Sequence, residues 1–256
     1  MKAILLCAGY ATRLYPLTRD VPKMLLPVGG RPVLDWLWDR VREIAGLEET
    51  HLVTNARFAG ALRDWARPHG IRVHDDGTTS NDDRLGAIGD IQLVIDRAGL
   101  EGSDVLVAAG DNLFDFSLAD YVTWWRRKDG SAITAYDVGD LELMKQYGVV
   151  ELGEDDRVVL LVEKPAEPTS TLAATATYIY AREHVPLVRT YLDEGNTPDA
   201  PGNFTTWLYR REPVYGYRVG GQWLDIGDRE QLLEADNLLR RRAGLPERAE
   251  YTLDTD

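Results

Sequence analysis

Cysteine is almost missing: Cys7 is the only one in 256 residues. A single thiol excludes an intramolecular disulfide and a cysteine-based zinc site. Within its apolar run, Cys7 reads as a small buried hydrophobe. Long apolar runs are missing as well, and none reaches the roughly 20 residues of a membrane-spanning helix. Histidine is sparse and scattered, at positions 51, 69, 74 and 184, with no metal-ligand spacing. No G-x-S-x-G elbow occurs, so zinc chemistry and hydrolase triads find no support. The first strand begins almost at the N-terminus with no signal-peptide pattern, and the expected location is the cytoplasm. Positive charge is also short, with 29 Lys and Arg against 42 Asp and Glu and a formal charge of -13. That balance argues against nucleic acid or anionic membranes as partners, because both need clustered cations. The run Arg240-Arg241-Arg242 closes an expected helix, where cations meet the negative end of its dipole.

What is present suffices for a full core: 44% of residues are hydrophobic, enough for one α/β domain or two small ones. The first half alternates short apolar runs with helical periodicity, which is the pattern of βαβ units around a parallel sheet. Strands are expected at 2–8, 51–54, 71–74 and 104–109. Helices are expected from Arg31-Pro32 through Ala45, then over 59–67, 87–98 and 118–128. Beyond Gly130 the texture turns to strands, in "SAITAYDV", "YGVVELGEDDRVVLLVEKP" and "LAATATYIYA", with "GEDD" as a hairpin turn. A helix at 183–192 precedes "DEGNTPDAPGNF", which has the composition of a loop. The strands "VYGYRV" and "QWLDIG" and a helix over 229–242 close the chain. Neither a repeat nor a hexapeptide array is visible.

Ligands of open α/β sheets sit beyond the C-terminal ends of the strands. Three segments converge there: Gly9 to Lys23, Gly86, and Gly110-Asp111-Asn112. The first is a long loop stiffened by Pro16 and Pro22, and it concentrates Arg13, Arg19 and Lys23 in an acidic chain. Backbone N–H groups near Gly9, with Arg13 and Lys23, suit phosphate oxygens. Asp111 stands where a carboxylate could hold Mg²⁺, or equally cap a helix, and Asp225 in "WLDIGD" is a candidate second ligand. Glu163 and Lys164 end a strand of the second half, either as a surface ion pair or as a wall for sugar hydroxyls and phosphate.

The stretch "LLCAGYATRLYPLTRDVPKMLLPVGGRPVLDW" resembles the signature of the sugar-1-phosphate nucleotidyltransferases, L-A-G-G-x-G-T-R-L-x-P-L-T-x-x-x-P-K-x-L-L-P-V. "VAAGDNLF", "YGVVEL…VEKPAEPTSTLAATATYIY" and "WLDIGDREQLLEAD" are similar to later motifs of that family in the same order. The likeness is strongest to glucose-1-phosphate thymidylyltransferases and similar catalytic-domain enzymes. It implies a single α/β domain with a Rossmann-like, mixed but mainly parallel sheet flanked by helices and a smaller β-rich sugar-binding subregion. Residues 1–129 would form the nucleotide-binding half and 130–256 the sugar-phosphate half. The implied reaction joins an NTP and a sugar 1-phosphate, giving NDP-sugar and pyrophosphate. Ala8, Gly9, Arg13 and Gly86 would hold the nucleotide, and Lys23 would steady the α-phosphate. Asp111 and Asp225 would bind Mg²⁺. Tyr147, Gly148, Glu163, Lys164 and Thr175 would receive the sugar phosphate, in a dimer or tetramer.

The chain departs from the family pattern at three places. Ala11 replaces the glycine before Thr12-Arg13, restricting backbone approach there. "TTSNDDRLGAIGD" lacks the family's Gln-Pro pair, so no nucleobase is implied. "APGNFTTWLYRR" replaces the late Arg-Gly-Glu segment on the sugar side, where Trp207, Tyr209 and Trp223 either line a pocket or pack in the core. A cytidylyltransferase for phosphocholine or inositol phosphate, a non-catalytic nucleotide-sugar sensor and a glycosyltransferase are the competing readings.

Overall fold

The computed structural model describes residues 1–253. Residues 254–256, the last of the expected second half, lie outside the described residues. β1 (Lys2–Leu6) enters the long loop 7–26, which closes on a small hairpin of β2 (Pro27–Val28) and β3 (Arg31–Pro32) before α1 (Val33–Val41). β4 (Glu49–Thr54), α2 (Ala59–Ala66), β5 (Arg72–Asp75), α3 (Ala87–Ala98) and β6 (Val105–Ala109) follow. β7 (Leu113–Phe114), α4 (Leu118–Trp125) and β8 (Ser131–Asp137) lead into β9 (Gly148–Leu152), β10 (Val158–Glu163) and β11 (Leu172–Tyr180). α5 (Leu187–Asp193), α6 (Pro201–Leu208), β12 (Val214–Val219), β13 (Trp223–Leu224) and α7 (Arg229–Ala243) complete the chain.

One nine-stranded sheet runs β10-β9-β11-β6-β1-β4-β5, with β8 on β11 and β12 on β8. β5, β4, β1 and β6 are mutually parallel, whereas β11 turns antiparallel against β6, β8 and β9, β10 is antiparallel to β9, and β12 runs parallel to β8. The central position of β1 explains its sequence. A strand covered on both faces has no polar side to show, and Ala3, Ile4 and Leu5 are all fully buried. Ala3 and Leu5 face the layer of α1, α2 and α4; Ile4 faces α3, α5 and α6. α7 packs with the loop 14–33 in a third cluster through Leu14, Leu26, Leu232 and Leu239.

The structure corrects several expected boundaries. α1 starts after Pro32 and stops at Val41; Ile44 is buried from a tight turn in which its N–H donates to the Val41 carbonyl. α4 ends at Trp125, short of Lys128. The expected loop "DEGNTPDAPGNF" is a loop only in its first part. Pro201 opens α6, where proline needs no N–H and its φ already suits a first turn.

A buried histidine pair lies on the parallel edge. His51 Nδ1 is 3.1 Å from His74 Nε2, and His51 has no exposed surface. Burial foremost, and then the His74 charge, push His51 down to about 4. The unfolded chain protonates near 6.5 and so binds the proton first. Stability from neutral His51 is therefore complete above that pH and is lost as pH falls from 6.5 towards 4. In urea titrations at pH 7 and pH 5, His51→Gln should lose about 2 kcal/mol less than wild type over that interval.

Candidate active site

β1 and β6 run parallel with Leu6 level with Ala109, so the loops that follow them emerge side by side. Gly110 makes that approach possible. Its N–H donates to the Leu6 carbonyl at 2.9 Å, and a Cβ there would sit 2.3 Å from Cys7 Sγ. Burial foremost, with the Asp111 charge adding, pushes the Cys7 thiol well up, as expected of an inert packing residue. Asp111 follows Gly110 and meets Lys23, whose Nζ donates to Asp111 Oδ2 at 2.7 Å. Lys23 is only 7% exposed, delivered by a tight turn over Lys23–Leu25 after Pro22. Burial alone would lift the Asp111 carboxyl, but the Lys23 ammonium outweighs it and holds the group below its ordinary range.

The first loop is pinned from below. Asn55 Nδ2 donates to the Ala8 carbonyl at 2.9 Å, and the Cys7 N–H donates to the Val53 carbonyl. Ala11 takes the left-handed conformation, φ 48° and ψ 44°, where the family pattern has glycine. A Cβ costs roughly 1–2 kcal/mol there. Thr18 Oγ1, donating to the Ala11 carbonyl at 2.8 Å, holds the turn closed. The loop walls a cleft of about 350 Å³ that contains Ala8, Gly9 and Arg13 together with Gly86 at the start of α3. Gly86 has φ +80° and lies against the Pro198 carbonyl, leaving no room for a side chain.

A second wall comes from the far end of the chain. β13 pairs antiparallel with β7, Leu224 level with Leu113, and continuing that register sets Asp225 opposite Asn112, beside Asp111. Loss of hydration foremost raises the Asp225 carboxyl. Lys23 and Arg13 pull it down, and the Asp111 charge pushes it further up. Two neighbouring carboxylates suit a divalent cation. Among the described residues no third His, Cys, Asp or Glu joins them. Mg²⁺ fits such a donor set, because it takes one or two carboxylates and leaves the remaining positions to water and phosphate oxygens.

Asn112 braces the two halves, a role its sequence position beside Asp111 did not announce. Its side-chain N–H donates to the Thr175 carbonyl, and its Oδ1 accepts from Trp223 Nε1 at 3.0 Å. Trp223 in turn packs edge-on against Tyr147 at 5.1 Å and at a tilt against Tyr136 at 5.9 Å. Trp223 therefore stands at the site, whereas Trp207 and Tyr209 pack against the core beside α3, α5 and α6.

Tyr147, Gly148, Glu163 and Lys164 come together because β9 and β10 pair with Glu163 level with Gly148. The Lys164 N–H donates to the Tyr147 carbonyl at 3.0 Å, with Lys164 itself in a left-handed turn (φ 45°) that swings it off the strand. Glu163 Oε2 reaches past Gly148 towards Gly202 of α6. Burial raises its carboxyl, against the pull of Lys164. Thr175 departs from the expectation of a sugar-phosphate contact. It is fully buried with its hydroxyl on Thr134, and only its carbonyl acts, as the acceptor for Asn112. A break in register between Ala174 and Tyr178, with Ala176 at φ 49°, disrupts the strand's alternation there.

A mainly parallel sheet whose C-terminal edge gathers a buried lysine, paired carboxylates and a stiff cationic loop defines an α/β protein built to handle phosphate. The chain belongs to the nucleotidyl transferase family, whose model matches residues 2–242. A glucose-1-phosphate thymidylyltransferase of Neisseria meningitidis is 30% identical over 94% of this chain and 83% of its own length. The bifunctional protein GlmU of Methanocaldococcus jannaschii is 27% identical over 93% of this chain, which spans only 54% of that relative. A crystal structure from Bacillus anthracis, of a protein assigned as a glucose-1-phosphate thymidylyltransferase, shares the fold with a TM-score of 0.75. Its identity is 24%, covering 94% of this chain and 95% of its own. Among the described residues, no helix is long and apolar enough to cross a membrane.

Proposed function

We propose that the chain transfers a nucleotidyl group from a nucleoside triphosphate to a sugar 1-phosphate, giving an NDP-sugar and pyrophosphate. The observation that carries this reading is the half-buried Lys23–Asp111 pair with Asp225 beside it, both carboxyls within electrostatic reach of Arg13, which lines a cleft with Ala8, Gly9 and Gly86. Residues 1–129 hold the nucleotide. The half beyond residue 130 presents Tyr147, Gly148, Glu163 and Lys164 to the sugar phosphate. A phosphate oxygen of the sugar phosphate attacks the α-phosphorus in line; the bond from that phosphorus to the bridging oxygen breaks, and pyrophosphate leaves with the electron pair. Such transfers need position and charge neutralisation more than a covalent partner from the protein. Arg13 and Lys23 neutralise the triphosphate, and Lys23 is fixed by Asp111 before substrate arrives. Mg²⁺ held by Asp111 and Asp225 would supply further neutralisation of the phosphate oxygens.

A second reading has one observation in its favour. Tyr136, Tyr147 and Trp223 cluster beside Asp225, and aromatic faces grouped near a carboxylate attract a quaternary ammonium. Phosphocholine is the corresponding acceptor. One assay separates the two: pyrophosphate release with Mg²⁺ and each common NTP, against sugar 1-phosphates, inositol phosphate and phosphocholine. Turnover with a sugar 1-phosphate is the expected result. Turnover with phosphocholine alone selects the second reading, and no release with any pair rejects both.

A further inference from the structure

One part of the cleft is acidic, and the backbone and hydroxyl donors nearest its carboxyls are engaged. Asp76, just past β5, and Asp90, in the first turn of α3, both line it. Asp90 is 5% exposed, and its Oδ1 has no partner among the described residues. Its carboxyl lies within electrostatic reach of that of Asp76, whose Oδ1 accepts from the Thr78 N–H at 2.7 Å. The amides that open α3 are already taken, because Ala87 N–H donates to the Asp199 carbonyl and Ile88 N–H to that of Pro198. The Thr78 and Tyr10 hydroxyls are engaged with each other at 3.0 Å. Two facing carboxyls repel a triphosphate, so the neutral end of the nucleotide belongs here.

Resting on nucleotidyl transfer as the activity, we propose that Asp76 and Asp90 read the nucleobase and that the base is guanine, its N1–H and N2–H donated to the carboxyl pair. Guanine alone among the common bases offers two adjacent donors on that edge. Uracil and thymine offer one N–H between two carbonyls, and those lone pairs would face carboxyl oxygens. Arg84 lines the same cleft, anchored by the Asn81 carbonyl and by Asp199, and a guanidinium is the usual partner of guanine O6 and N7. The proton balance agrees: burial first, and then the Asp76 charge, push the Asp90 carboxyl up to about 8. Two N–H donors of the base facing the carboxyls would offset that mutual repulsion.

Calorimetric titration of the full chain with GTP, ATP, CTP, UTP and dTTP in Mg²⁺, without any acceptor, tests the assignment. GTP should bind about ten- to hundredfold more tightly than UTP or dTTP, and Asp76→Asn or Asp90→Asn should each bring that ratio to within about threefold. Tighter binding of UTP or dTTP overturns the guanine assignment and leaves nucleotidyl transfer standing. Equal weakening of all five nucleotides by both variants overturns it too, since it would assign the pair to the ribose. Binding of none overturns both readings. Thermal melts check that each variant folds, and the wild-type panel decides alone if one does not.

Discussion

Lys23→Met is expected to lower kcat/KM by about a hundred- to a thousandfold, the scale for removing one fixed charge-stabilising donor from a transition state. The methionine keeps most of the side chain's bulk, so the turn over Lys23–Leu25 stays filled and the loss reports charge. Two effects add. In the proposed mechanism the α-phosphorus loses its neutralising ammonium, and the Asp111 carboxylate loses the partner that holds it ionised and in place. The stability cost should stay near about 1–3 kcal/mol, the cost of an orphaned polar group. It is not larger because the Asp111 side chain keeps 36% of its exposure and water can replace part of the bond. Asp111→Asn should lose activity on the same scale. Because the two side chains touch, the double variant should lose far less than the product of the two single losses. Single-turnover assays with saturating NTP give each number, and multiplicative losses would show that the pair does not act as a unit.

The second large effect is structural. Gly110→Ala should cost about 3 kcal/mol or more, the upper range for overpacking a filled core. The new methyl group would meet Cys7 Sγ at 2.3 Å and the Leu6 carbonyl at 3.0 Å, and neither can retreat. Cys7 is fully buried in the central strand's exit, and the Leu6 carbonyl already accepts the Gly110 N–H. Cys7→Ala should recover part of the loss when combined with Gly110→Ala, since it removes the closer clash and leaves the backbone one. Denaturant midpoints for the four proteins test this, and a double variant as unstable as the sum of the singles would place the strain elsewhere. Activity should fall further than stability, because Asp111 moves with its neighbour.

Much of this was legible in the residues. Gly86 and Gly99 bracket α3, whose apolar spacing fixes its extent at Ala87–Ala98 in both sequence and structure. The edge where loops 9–23 and 110–112 meet follows from buried strands that end in glycine. Less legible were elements whose cause lies far away in the chain. β7 is two residues long, too short for any periodicity, and forms by pairing with β13, which lies within the strand expected at "QWLDIG". α6 hides behind Pro201, Gly202 and Asn203, three residues of loop composition, because its helical turn is closed by packing of Phe204 and Leu208 in the core. Thr175, named only through the family likeness, is turned inward where β11 breaks its register between Ala174 and Tyr178, a break no local pattern announces.

The pairing of β7 with β13 has a consequence for a chain still leaving the ribosome. Everything that forms the cationic loop, Gly86 and Asp111 is made early, but Asp225 takes its place only after Trp223 and Leu224 have been synthesised and have found Phe114 and Leu113. A nascent chain short of that point holds Lys23 and Asp111 without the second carboxylate. If Asp225 works with Asp111 as proposed, that site is complete only once Trp223 and Leu224 have paired with Phe114 and Leu113.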